Sequence, residues 1–254
     1  MPGFDSDGVN INYVDEGQGP PIVLVHGFAG SIESNWRAPG IIGALVRSGR
    51  RVVALDCRGH GQSGKPHDPD AYSGTKMPDD VVALMDHLGI AKADLMGYSM
   101  GGGIATSLML SHPSRFGAVV IGGAGYFSGG GGERPGRFNP IAEALEAPDA
   151  STLTDPMARG LRAFAERGGN DLLALAAIQR SSRAGAGSAG LGTVSNPVFV
   201  LVGSGDPVLP SAQQLAGVIP GAKLMVIPGD HLAAVRGPAY AASVVEFLAS
   251  ASPI

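Results

Sequence analysis

The chain has 254 residues, 44% of them hydrophobic and only 16% charged, with a formal net charge of −4. That length suits one large α/β domain or two small ones, and the apolar share is enough for a sizeable core. The acidic balance and the lack of a basic patch argue against a nucleic-acid partner. No apolar run approaches the roughly 18 residues of a membrane span, and the N-terminal residues lack the basic and apolar regions of a signal peptide, so a cytoplasmic location and no membrane partner are expected.

In chain order, residues 8–16 alternate apolar and polar, as an edge strand does. A Gly17-Gln18-Gly19-Pro20 turn leads into Pro21-Ile22-Val23-Leu24-Val25, a β-branched run typical of a strand buried on both faces. A helix is expected from about residue 33 to 48. Buried strands are expected at 51–57, 93–98, 116–121 and 197–202, a further strand at 223–227, and helices near 77–88, 100–111, 210–218 and 238–250. Strands alternating with helices predict crossover units and a mostly parallel sheet. Residues 126–192 break the alternation, with helical patterns near 140–147, 156–167 and 170–182. Glycine-rich stretches at Ser128-Gly129-Gly130-Gly131-Gly132 and Ala184-Gly185-Ala186-Gly187 bound it as soft joints. The expected division is an α/β core of residues 1–125 and 193–254, with 126–192 inserted as a small helical cap.

The most telling stretch is Gly97-Tyr98-Ser99-Met100-Gly101-Gly102. It joins the strand at 93–98 to the helix at 100–111. A serine at so sharp a turn is forced into a strained backbone that lifts its hydroxyl clear of the sheet, and its neighbours must be small because strand and helix nearly touch. In a chain with 40 glycines such a pattern also arises by chance, so the reading needs a base, an acid and an oxyanion hole.

Ligands of parallel sheets sit beyond the carboxyl ends of the strands. Of six histidines, His67 and His87 read as surface residues, His112 as a helix C-terminal residue, and His26 and His60 as structural parts of tight glycine turns. His231 alone follows the last strand at its carboxyl end, late in the chain, where a general base would stand. Asp206 is the only acid in the loop after the strand at 197–202, which makes it the residue to orient that base. Asp230 reads as a turn former. Backbone N–H groups at Met100, opening a helix, and at Phe28, in the turn after the strand at 21–25, would form the oxyanion hole. Cys57, the single cysteine, reads as a small buried thiol.

With these residues in view the chain resembles the α/β-hydrolase fold family. The resemblance rests on His26-Gly27-Phe28, Asp56-Cys57-Arg58-Gly59-His60-Gly61-Gln62-Ser63, the Ser99 turn, Gly203-Ser204-Gly205-Asp206-Pro207 and Gly229-Asp230-His231, in the family's order. It implies Ser99 as nucleophile, His231 as base, Asp206 as orienting acid and an oxyanion hole at Phe28 and Met100. The triad needs no cofactor, and no Cys/His cluster has metal-ligand spacing. Gly59-His60-Gly61-Gln62-Ser63-Gly64-Lys65 imitates a phosphate loop, but Pro66 stands where a Mg²⁺-binding hydroxyl is required.

The expected activity is hydrolysis of carboxylic esters of small, uncharged, fairly apolar substrates through an acyl-enzyme. Family relatives on the same triad include enol-lactonases, C–C bond hydrolases and cofactor-free haloperoxidases or perhydrolases. Epoxide hydrolases and haloalkane dehalogenases place an aspartate at the elbow, where this chain has Ser99. The rival from another class is a ligand receptor that keeps the fold without turnover, which has no need of all three triad residues.

Overall fold

The structure, a computed structural model, describes residues 2–126, 139–183 and 189–251. The chain runs through β1 (Gly3–Ser6), β2 (Val9–Glu16), β3 (Pro21–Val25), α1 (Ile41–Arg47), β4 (Arg51–Leu55), α2 (Lys76–His87), β5 (Ala93–Tyr98), α3 (Met100–Ser111) and β6 (Phe116–Gly122). Three helices follow, α4 (Asn139–Glu146), α5 (Pro156–Arg167) and α6 (Leu172–Arg180). The chain then returns to β7 (Val198–Gly203), α7 (Leu209–Val218), β8 (Lys223–Ile227) and α8 (Pro238–Ala251).

The eight strands form one sheet in the order β1-β2-β4-β3-β5-β6-β7-β8. The pairs β1–β2 and β2–β4 are antiparallel and every other pair is parallel. The mostly parallel sheet with flanking helices is the fold class that the alternating elements predict. Chain order reverses at β3, which lies between β4 and β5. Val25 is level with Leu55 on one side and with Gly97 on the other. Three turns therefore leave the sheet together at its carboxyl edge, where a crevice forms at such a reversal.

Alternation along the strands divides the core into two layers. Val23, Val25, Leu95, Val119, Ile121 and Val200 pack against α2, α3 and α7. Ile22, Leu24, Met96, Val120, Phe199 and Leu201 pack on the other face, against α1 and α8. Each such side chain, fully buried, contributes roughly 1.5–3 kcal/mol. This explains why the central strands read as unbroken apolar runs, whereas β8, at the sheet's edge, stays exposed over most of its length.

Three differences from the sequence reading have physical reasons. The single helix expected over 33–48 is two pieces. Pro39 brings no N–H, and Gly40 turns left-handed at φ 80°, so α1 starts afresh at Ile41. The first piece, Ile32–Arg37, is wound wide, with the Ala38 N–H reaching the Glu33 carbonyl at 2.9 Å. The strand expected to reach Cys57 ends at Leu55, because Asp56 and Cys57 already belong to the turn. Strand β1 was not expected: its four residues earn their place only by pairing with β2.

The three helices after β6 lie close to the ranges expected for them. Ala142, Leu145, Ala165 and Leu175 make a small core with Ala29 and Tyr72, which holds α4, α5 and α6 over the turn that follows β3. The expected glycine-rich joint at 128–136, and most of that at 184–190, lie outside the described residues. No helix among the described residues is long and apolar enough to cross a membrane.

Candidate active site

Ser99 sits between the last residue of β5 and the first of α3. Its backbone is at φ 54°, ψ −113°, one of three described non-glycine residues with positive φ. Such a conformation costs on the order of 1–3 kcal/mol and persists only where its surroundings enforce it. They do so here. The Ser99 N–H donates to the Gly122 carbonyl at 2.8 Å, carrying the sheet ladder one residue past the strand. A Cβ on Gly97 would fall on the Gly101 carbonyl, and one on Gly101 would fall on the Val25 carbonyl. These two glycines let strand, turn and helix cross at near contact, which is the reason for the flanking glycines in the sequence.

His231, in the loop after β8, lies across the top of this turn. Its Nε2 is 2.9 Å from the Ser99 Oγ, and its Nδ1 is 2.7 Å from the Asp206 Oδ2. A carboxylate only accepts, so Nδ1 carries the proton and donates to Asp206, leaving Nε2 to accept from the Ser99 hydroxyl. The Asp206 side chain is fully buried, whereas that of His231 is 32% exposed. The other Asp206 oxygen accepts the Val208 N–H at 3.0 Å, which pins the carboxylate in the loop after β7. Asp230 takes the role expected of a turn former, its Oδ1 accepting the N–H groups of Leu232 and Ala233. Those two bonds hold the Asp230 carboxyl below its ordinary pKa.

Met100 follows Ser99 directly, and Phe28 lies in the turn after β3; these are the two residues whose backbone N–H groups are expected to serve as donors. A Cβ on Gly27 would lie 3.2 Å from the Ser99 Cβ, so the turn after β3 touches the Ser99 turn. Among the described residues nothing accepts the N–H of Phe28 or of Met100. The next residue, Ala29, has φ 55°, a second strained position at the same edge. The structure thus brings together Ser99, His231 and Asp206, with Phe28 and Met100 beside them, from turns after β3, β5, β7 and β8.

Two contributors were not legible in the sequence. The Asn35 Oδ1 accepts the Gly27 N–H at 3.1 Å and so braces the Phe28 turn from the wide helical piece. Tyr98, the residue before Ser99, donates its hydroxyl to the His231 backbone carbonyl at 2.5 Å. Its ring centroid lies 5.5 Å from that of His231 and 5.8 Å from that of Tyr240. Gly122 and Gly123 leave room for it, since a Cβ on either would press on the Tyr98 ring. Burial first, then the fields of Asp206 and Asp230, pushes the Tyr98 phenol well above its ordinary pKa, so it stays a donor. An aromatic residue in an elbow was the only signal, and it does not say where the hydroxyl points.

His26, His60 and the glycine-rich turn after β4 are built into the fold. His26 and His60 are fully buried, their rings 5.0 Å apart. The His26 Nε2 accepts the Cys57 N–H at 3.0 Å. Burial lowers the pKa of His26, and burial with the nearby His26 holds His60 down to about 3. Asp56 anchors three segments through Asn12, Ile32 and Gln62. Lys65, which made the loop resemble a phosphate binder, closes its own turn by donating to the Gly61 and Ser63 carbonyls. Cys57 is buried and its thiol is pushed far up in pKa, as expected of an inert packing residue.

Known proteins resemble this chain in sequence and fold. Residues 20–155 match the alpha/beta hydrolase fold family. The 2-hydroxymuconate semialdehyde hydrolase of Pseudomonas sp. (strain CF600) is 36% identical over 142 residues, 55% of this chain and 45% of that protein. The chain spans less than half the length of several curated relatives that it matches. Among solved structures, the enol-lactonase from Burkholderia xenovorans LB400 superposes with a TM-score of 0.81 at 26% identity, covering 97% of this chain and 99% of that one. A meta-cleavage product hydrolase from Pseudomonas fluorescens IP01 superposes with a TM-score of 0.74 at 26% identity, covering 99% and 98%.

Proposed function

The chain belongs to the alpha/beta hydrolase fold family, a family of hydrolases, and on that premise we propose that it is a serine hydrolase of carboxylic esters, cyclic esters included. In this reading Ser99 is the nucleophile. Its Oγ attacks the ester carbonyl as His231 Nε2 takes its proton. The Asp206 carboxylate holds the imidazole in the required tautomer and stabilises the imidazolium. The N–H groups of Phe28 and Met100 donate to the developing oxyanion. Collapse expels the alcohol, which takes the proton from His231. Water, deprotonated by the same nitrogen, then releases the acid from the acyl-enzyme. The helices α4 to α6 serve as a cap that bounds the substrate on the side of the Phe28 turn.

The observation that carries this reading is the unbroken path from Asp206 through His231 to Ser99, with contacts of 2.7 and 2.9 Å. Both fall within the reach a nucleophile–base pair requires. The name of the enol-lactonase, a protein of the same fold over almost its whole length, favours a lactone among the esters, since an enol lactone is an ester closed on itself. Ser99→Ala should lower kcat/KM on a p-nitrophenyl ester by about 10⁴–10⁶-fold. Full activity in that variant would sink the reading.

A further inference from the structure

A cavity of about 370 Å³ lies between the turn after β3, the end of α5 and the loop after His231. Ala29 and Gly30, which continue from Phe28, line it, and so does Leu232, which follows His231. Two arginines distant in sequence also line it: Arg167, the last residue of α5, and Arg236, in the short turn before α8. Among the described residues no carboxylate lines it.

Several arginines of the fold meet acids, as Arg58 does Asp80, Arg162 does Glu166 and Arg180 does Glu146. Arg167 and Arg236 have no such partner among the described residues. Glu166, beside Arg167 in sequence, is taken by Arg162 at 2.7 Å. Each guanidinium offers a planar carboxylate the paired donors that match its geometry. Phe164, Ala29 and Leu232 supply apolar wall for a carbon skeleton. In a chain of net charge −4, this local cationic pair is a feature of the cavity rather than of the composition.

We propose that this cavity is a carboxylate-binding subsite, and that the preferred substrate is an ester or lactone bearing a free carboxylate at the end away from the scissile carbonyl. This rests on the serine-hydrolase reading and replaces the expectation of an uncharged substrate. The arginines are distant in sequence and have no common motif, so only the folded chain brings them to one cavity.

The test compares p-nitrophenyl half-esters of succinate, glutarate, adipate and suberate with neutral esters of matched chain length. At one length or more the half-ester should be favoured in kcat/KM by at least about tenfold. Arg167→Gln and Arg236→Gln should each cut that preference by about fivefold or more. Arg47→Gln, on α1, should leave the preference as in the native protein. Raising salt from about 0.02 to about 0.5 M should erode it, because both arginines are solvated. Equal or better turnover of the neutral esters at every length would overturn the proposal. So would an equal loss on both ester classes in the arginine variants. Calorimetry of monomethyl adipate on Ser99→Ala reads the cavity without turnover: binding that weakens in Arg236→Gln is expected, and no binding by any half-ester of the series overturns it. Activity surviving in Ser99→Ala would instead sink the serine-hydrolase reading, and the two failures are distinct.

Discussion

Two groups of histidine stand at the carboxyl edge of the same sheet, and their surroundings give them opposite chemistry. His26 and His60 follow β3 and β4, are wholly buried, and are kept neutral by the cost of burying charge. The His60 Nε2 has no hydrogen-bond partner at all among the described residues. His231 follows β8, is a third exposed, and has a carboxylate on one ring nitrogen and a hydroxyl on the other. A base that must gain and lose a proton needs a buried anion behind it and open space ahead. A spacer must avoid the proton. Position at a strand end is common to both groups, so it is the neighbours that make the difference.

The sharpest way to break this contrast is at His231. His231→Gln is expected to lower kcat/KM on a neutral p-nitrophenyl ester by about 10⁴–10⁶-fold, with a urea midpoint close to that of the native protein. A loss of less than about tenfold would remove His231 from the reaction. Next comes the acid behind it. Asp206→Asn keeps the shape of the loop but presents a neutral amide to Nδ1, and should lower kcat by about 10⁴-fold.

Tyr98→Phe sharpens the comparison further, because it removes a side-chain tie to the His231 backbone carbonyl while keeping the ring. A kcat loss of roughly tenfold with KM little changed is expected, from a base that wanders out of line. A parallel rise in KM, or no change in either constant, would assign Tyr98 to packing alone.

The smallest effect is on stability, on the other side of the comparison. The folded pKa of His60 is about 3, against an ordinary value of 6.5. The unfolded chain therefore binds the proton first as pH falls. His60's contribution is intact above about pH 6.5 and is lost progressively down to about pH 3. Between pH 7 and 4.5 this should cost on the order of 2 kcal/mol, and His26 adds to it in the same direction. Urea titrations of the native protein and of His60→Leu at the two pH values measure it. The variant should show the shallower acid decline, and an unchanged slope would mean that His60 does not carry this term.

Much of this was legible from the order of residues. The central strands were readable because burial on both faces demands continuous apolar runs such as Pro21-Ile22-Val23-Leu24-Val25. The Ser99 turn was readable because crossing backbones exclude any Cβ at Gly97 and Gly101. His231 and Asp206 were singled out by their place after particular strands, and the fold sets them within hydrogen-bonding distance. Strand β1 was not legible, since four residues carry too little pattern until β2 pairs with them. The break in the helix expected over 33–48 was written in Pro39-Gly40, but the wide winding of the first piece depends on contacts that come from elsewhere.

The amino-acid sequence by itself determined the alternation of strands and helices, the strained serine turn and the identity of the residues available for chemistry. These follow from local sterics and from periodicity, which act between near neighbours along the chain. Tertiary structure alone decided which nitrogen of His231 faces Ser99, that Tyr98 holds the His231 backbone, and that Arg167 and Arg236 line one cavity. Those are relations between segments distant in sequence, set by how layers pack, and no local pattern encodes them.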